Sequence, residues 1–507
     1  MTLRRPDAAE LAALAAETGL DLTVAEIESL GPLVIGVIAG YDTLDQYPDP
    51  LREVTPAVRI PGARPEPEDD PLNGVVRRCS VQAAPEVLDG PLSGRRIGVK
   101  DTVCVAGIPM TCASRLLYDY TPDIDATVVA RILKAGGHIT AVLNTDDFAF
   151  SGGGHTSCYG PGRNPVNPDH CPGGSSNGSA TAPATGQVDI ALGGDQGGSI
   201  RIPASFSGVV GHKPTHGLVP YTGIVGFDQT IDHVGPMART VADCATMLGV
   251  IAGRDDTAID PRQPDAIEVP DYAAALTGDV KGLKIAVLRE GFETPEAMES
   301  VNAAVRGAAD RLRAMGAEVA EVSVPMHARV VPIWNCIAIE GGIDSFYRGH
   351  TAFQHKGYYN PRLVSAMMRG VKTHAHDFSP TAKLGVLVGE YMRRRYDGVF
   401  YARAQNMSRA LTAAYDRVLA EADLLLMPTT PQTAHRLPAS PEEDRAEHVG
   451  QALNMVWNTA AFDLTGHPSI SVPVTGVDGL PVGLMLTGRQ FADATVLRAA
   501  HAYEQAG

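Results

Sequence analysis

Residues 171–201 read CPGGSSNGSATAPATGQVDIALGGDQGGSIR, two glycine- and serine-rich loops separated by a short helical stretch and an apolar strand. The second loop, Gly193-Gly194-Asp195-Gln196-Gly197-Gly198-Ser199, follows that strand, the usual place for a functional loop in an α/β sheet. Gly197 and Gly198 carry no side chains to block a ligand. The N–H groups of Gln196, Gly197, Gly198 and Ser199 can therefore converge beside the Ser199 hydroxyl, pairing a nucleophile with an oxyanion site. The same composition also suits a purely structural turn. A serine needs a base to attack. No G-x-S-x-G elbow is present, and no local motif marks any of the 15 histidines as a partner. Lysine can take that place. Lys100 stands at the end of the strand-like run Arg96–Val99, where desolvation favours the neutral, proton-accepting amine; a lysine at a strand end also reads as a surface residue.

The first loop, Gly173 to Ser179, lacks the Gly-Lys-Ser/Thr ending of a phosphate loop and reads equally as a capped helix start. His155, Cys158, His170 and Cys171 offer soft donors, but their spacing matches no common zinc pattern. We expect neither metal nor cofactor.

Elements that could hold these residues follow from periodicity. Arg96–Val99 reads as a strand, Asp125 as the cap of a helix through Val128 to Leu133, and Ile139–Leu143 as a buried strand. Asp189–Leu192, Leu283–Leu288, Val319–Val324, Ser469–Val474 and Val482–Leu486 read as further strands. A helix starting at Thr294-Pro295 ends at Gly316, and Asp493 opens a last one. Such alternation predicts a layered α/β domain with a central mixed sheet and helices on both faces. Residues 1–60 read as a small α-helical domain with a cap at Thr23, residues 61–90 as a Pro- and acid-rich linker, and residues 91–507 as the catalytic domain.

Several stretches together resemble the amidase signature family. They are Gly98-Val99-Lys100-Asp101-Thr102, Cys171 to Ala180, Gly193 to Ala204, Gly211 to Thr215, Asp232 to Arg239, Asp423 to Pro431 and Gly466 to Gly488. The likeness covers about residues 90 to 504. It implies that Lys100 is the base, Ser175 a relay serine preceded by a cis peptide bond, and Ser199 the acylated nucleophile. It further implies that Asp195 and Arg201 brace the nucleophile loop and that Ser176 joins the network. The loop Asp147 to Gly154 matches the family's substrate-facing loop only loosely, so Phe150, Ser151 and Gly152, with Phe227 and Trp334, are expected pocket residues. The N-terminal helices resemble those of bacterial amidases found beside nitrile hydratases, which implies a homodimer formed through them.

The net charge of -16 speaks against general nucleic-acid binding. Seven scattered cysteines without C-x-x-C fit a reducing compartment. The apolar run Leu30–Ala39 is too short to span a bilayer and contains Pro32, so we expect a cytoplasmic protein without a membrane partner. The expected activity is hydrolysis of a small carboxylic amide to the acid and ammonia or an amine. The alternatives are a carbamate or ester hydrolase, a silent binding protein and an amidotransferase subunit.

Overall fold

The structure, a computed structural model, describes residues 3–49, 52–83, 89–255, 260–349 and 356–507. It divides into Met1–Glu53 and Val54–Gly507.

The first unit is a helix pair, α1 (Ala8–Thr18) and α2 (Val24–Leu44). Asp7 with Glu10 and Thr23 with Glu26 each form a capping box, which satisfies N–H groups that the first turn leaves free. The run Leu30–Ala39 lies inside a longer helix than its own length suggests: α2 has 21 residues, enough by length and composition to cross a membrane. Leu33 and Val37 on it are 64% and 67% exposed.

The described residues of the second unit form one sheet of 12 strands. They are β1 (Ala57–Ala63), β2 (Val75–Ala83), β3 (Arg96–Lys100), β4 (His138–Leu143), β5 (Ile190–Asp195) and β6 (Val210–Lys213). The rest are β7 (His233–Ala238), β8 (Lys284–Leu288), β9 (Glu318–Val322), β10 (Leu424–Pro428), β11 (Ser469–Val477) and β12 (Leu480–Gly488). Their order is β1-β2-β4-β3-β5-β7-β6-β11-β12-β10-β8-β9. The β3–β4, β3–β5, β8–β9 and β8–β10 pairs are parallel and the others antiparallel, as an α/β mixed sheet requires.

The expected linker is corrected by β1 and β2. Ala57–Ala63 pairs antiparallel with Val75–Ala83 at the edge of the sheet, so this segment belongs to the catalytic unit; residues 84–88 of the linker lie outside the described residues. An edge strand needs one buried neighbour only, and β1 is mostly exposed and contains Pro61, which is why it reads as a linker.

Strand alternation sorts the core. Ile97, Val99, Val142 and Leu192 join the main apolar cluster, while Ala141, Leu143 and Ala191 join a smaller one with Ala180 and Ala182 of α3 (Asn177–Ala184), which is packed on the sheet. Lys100 alternates with Val99 and so takes the opposite side from it, the side of Gly98. The chain thus carries an amine into the interior at the C-terminal end of β3.

Candidate active site

Lys100 is 1% exposed, Ser175 0% and Ser199 7%. The Lys100 Nζ donates to Ser175 Oγ at 2.7 Å. Burial pulls the amine down from 10.5 to about 7, against the opposing pull of Asp146 and then Asp195. At neutral pH a large share of Lys100 is therefore a free base, already bonded to the hydroxyl it serves. The peptide bond Gly174–Ser175 is cis.

Ser175 and Ser199 each sit just ahead of a helix, α3 and α4 (Arg201–Ser207). Two links bring the loops together. Ser176 N–H donates to the Ser199 carbonyl at 3.3 Å, and Ser176 Oγ bonds both the carbonyl (3.0 Å) and the N–H (3.2 Å) of Gly194. Ser176 is thus the tie between relay loop and nucleophile loop. Among the described residues the Ser199 hydroxyl makes no hydrogen bond, which leaves it free to turn toward a substrate or toward Ser175. Catalytic hydrogen bonds often close only when substrate binds.

Asp195 and Arg201 hold the nucleophile loop from behind. Both are wholly buried. Arg201 Nε and Nη2 each donate to the Asp195 carboxylate at 3.0 Å, and Nη2 also donates to Asp463 at 2.7 Å. Burial alone would raise the Asp195 carboxyl, but the Arg201 charge and its hydrogen bonds outweigh it and hold the group well below the carboxylate range. Burial and the neighbouring Asp195 charge push Asp463 up instead, so Asp195 and Arg201 form the ionised pair.

The same carboxylate corrects the expected oxyanion site. Gly198 N–H donates to Asp195 Oδ1 at 2.5 Å, and Ile200 N–H to Oδ2 at 3.0 Å. The Gly198 N–H is therefore committed to bracing the loop. Two side chains fix the remaining peptide planes. Trp334 Nε1 donates to the Gln196 carbonyl at 2.6 Å, and Thr459 Oγ1 to the Gly197 carbonyl at 2.6 Å. In a trans peptide the N–H points opposite to the C=O. Holding Gln196 C=O on Trp334 turns the Gly197 N–H to the other side, and holding Gly197 C=O on Thr459 turns Gly198 N–H to Asp195. Gly197 must be glycine for this to work: a Cβ there would lie 2.5 Å from the Trp334 ring. Gly198 has φ of 135°, which side-chain-bearing residues rarely adopt. The N–H groups of Gln196, Gly197 and Ser199 are what remains for an oxyanion.

Lys100 and Gln196 open onto a narrow cavity of about 10 Å³ walled by Phe148, Tyr221, Val225, Phe227 and Phe346. Phe227 thus lines it. Phe150 lies behind, stacked on Phe227 at 5.4 Å. Ser151 Oγ accepts from Gly153 N–H at 3.0 Å and Gly152 N–H donates to the distant Ala452 carbonyl at 2.7 Å, so both brace the loop and do not border the cavity. Trp334 braces the loop and is absent from the wall. Phe148 and Tyr221 were not expected; only contact across the fold reveals them. A larger cavity of about 560 Å³ shares Tyr221, Gly226 and Phe227 but holds none of the three reacting side chains.

A family model described as Amidase matches residues 77–497 of the chain. The chain belongs to the amidase signature family. The amidase is 40% identical to the "Enantioselective amidase" of Rhodococcus rhodochrous, a match spanning 100% of this chain and 96% of that one. It is 36% identical to a glutamyl-tRNA(Gln) amidotransferase subunit of Synechococcus sp. (strain CC9902), over 93% of this chain and 94% of the other. The solved peptide amidase of Stenotrophomonas maltophilia superposes with a TM-score of 0.69 at 29% identity, covering 86% of this chain and 89% of that one.

The amidase hydrolyses a carboxylic amide through an acyl-enzyme, and its residues divide the work accordingly. Ser199 attacks the carbonyl while its proton passes through Ser175 to Lys100. The charge that develops on the carbonyl oxygen meets the free N–H groups of the nucleophile loop, already oriented by Trp334 and Thr459. The proton returns along the relay to the leaving nitrogen. Water then repeats the sequence on the ester and releases the acid.

Proposed function

We propose that this amidase acts on small amides with an apolar acyl group and discriminates between their enantiomers. The observation that carries this reading is the wall beside Lys100 and Gln196, where Phe148, Val225, Phe227 and Phe346 offer no charged partner; at about 10 Å³ the gap must widen, by movement of these side chains, to take an acyl chain. An aromatic slot that grips one substituent of a chiral carbon leaves the other to clash in one hand only. The full-length likeness to an enantioselective amidase supports the same reading. A net charge of -16 and a self-contained helix pair weigh against a subunit that works on RNA. The finer placement among the nitrile-hydratase-associated amidases rests on that N-terminal helix pair.

We place the protein in the cytoplasm on its seven free cysteines, and as a homodimer on the exposed apolar residues of α2. The purified chain should turn over racemic aryl- and alkyl-substituted amides with a marked preference for one enantiomer, and carbamates or esters more slowly. Equal rates on both hands, or turnover of glutamine only in the presence of a partner, would remove the proposal. Light scattering should return twice the chain mass, and charges placed at Leu33 and Val37 should halve it.

A further inference from the structure

His155, Cys171 and His435 converge beneath the loop that leads into Ser175. One ligand atom from each lies within 4.8 Å of the other two. His155 and Cys171 are buried, and both ring nitrogens of His435 are buried with no hydrogen-bond partner among the described residues. An imidazole stripped of water at both nitrogens is costly and calls for an explanation. His155 is set up as a ligand: its Nε2 faces the His448 carbonyl at 3.0 Å, which can only accept, so the proton sits on Nε2. The lone pair on Nδ1 then points at Cys171 Sγ, 3.7 Å away. A backbone carbonyl that fixes the tautomer of a histidine is the usual outer partner of a metal ligand. Hydrogen bonding accounts for only half of the cluster: Cys171 Sγ meets His155, but neither nitrogen of His435 reaches a partner, Cys171 included, among the described residues.

We propose that His155, Cys171 and His435 bind a zinc ion that ties the approach to Ser175 to the segment around residue 435. One thiolate and two neutral imidazoles supply three of the four ligands of a tetrahedral zinc, and a water would complete the set. Two donors on a tetrahedral zinc stand roughly 3.3–3.6 Å apart, so the His155–Cys171 pair is nearly in place and His435 needs a small approach. The thiol proton of Cys171 leaves to solvent as the ion binds. Neither Cys158 nor His170 joins: the first lies against the Tyr118 hydroxyl, and both are outside the cluster. His435 is 264 positions beyond Cys171, which is why no local spacing announces the site.

The ion would act on structure. Cys171 N–H donates to the His435 carbonyl at 2.9 Å, and Gly174 N–H to Gly152 O at 2.7 Å, so the ion would join strands of backbone that already support the relay serine.

The test uses the full chain, purified after growth with zinc and again after chelation. Elemental analysis should find about one zinc per chain, and adding zinc to the stripped protein should raise its thermal midpoint by roughly 3 °C or more. Cobalt(II) should give a thiolate charge-transfer band that Cys171→Ser abolishes, and His435→Gln should weaken cobalt binding at least tenfold. Substoichiometric metal in the wild-type chain, or no thermal response to zinc, would overturn the proposal without any variant. So would a folded Cys171→Ser chain that keeps the band, since that would place the ion on another thiol.

Discussion

Replacing Lys100 by methionine should cut activity by orders of magnitude and yet stabilise the protein at neutral pH. The amine's pKa falls from 10.5 in the open chain to about 7 in the fold. Between those values the unfolded chain binds the proton that the folded chain has lost, so stability rises with pH across the window from about 7 to 10.5 and is flat below it. The swing is 10.5 minus about 7, or about 3.5 units, worth about 5 kcal/mol at about 1.4 kcal/mol per unit. Wild type carries nearly all of that cost at pH 7. Methionine carries none, but it leaves the Ser175 hydroxyl without its partner, at about 1–3 kcal/mol. The variant should therefore be more stable by roughly 2–4 kcal/mol at pH 7, and the advantage should shrink and reverse as the pH approaches 10.5. Thermal midpoints of both proteins measured from pH 6.5 to 9.5 check this. Lys213, also pulled down to about 7 by burial, is common to both and cancels in the difference. A variant less stable at pH 7, or two parallel pH profiles, would refute the buried neutral amine. Loss of the base should cost about 10²–10⁴ in kcat.

Trp334→Phe keeps the ring on Gly197 but removes the bond to the Gln196 carbonyl; kcat should fall roughly 10- to 100-fold with KM little changed, since an oxyanion donor loses its aim. Arg201→Met should cost about 3–5 kcal/mol in unfolding experiments, because it strands the Asp195 charge in the interior. Phe227→Ala opens the cavity wall, and kcat/KM should shift toward bulkier acyl groups by about 1–3 kcal/mol, read from a competitive substrate pair.

Local pattern exposes some parts of this protein and hides others. Strands β4, β5, β8, β11 and β12 are legible because each is a short apolar run bounded by turns. Thr23 caps its helix as the motif predicts. Asp125 does not cap its helix, which starts at Thr127; its carboxylate instead receives Arg59 and the Ala106 N–H, partners from elsewhere in the chain. The helix expected from Thr294 begins at Glu299. Ser199 is visible through its own glycines, whereas Lys100 and Ser175 needed the family likeness. Trp334 and Thr459 were out of reach as clamps, since what they hold lies 138 and 262 positions away. Gly198 shows the limit of counting donors in a loop: its N–H is present, but the carboxylate of Asp195 takes it.

The most direct measurement of the catalytic assignment is intact-protein and peptide mass spectrometry after rapid acid quench with a slowly deacylated ester or amide. The acyl mass should appear on the peptide that carries Ser199, and should be missing in Ser199→Ala. An adduct on Ser175, on Cys171 or on any other side chain, or an unchanged adduct in the variant, would contradict the account.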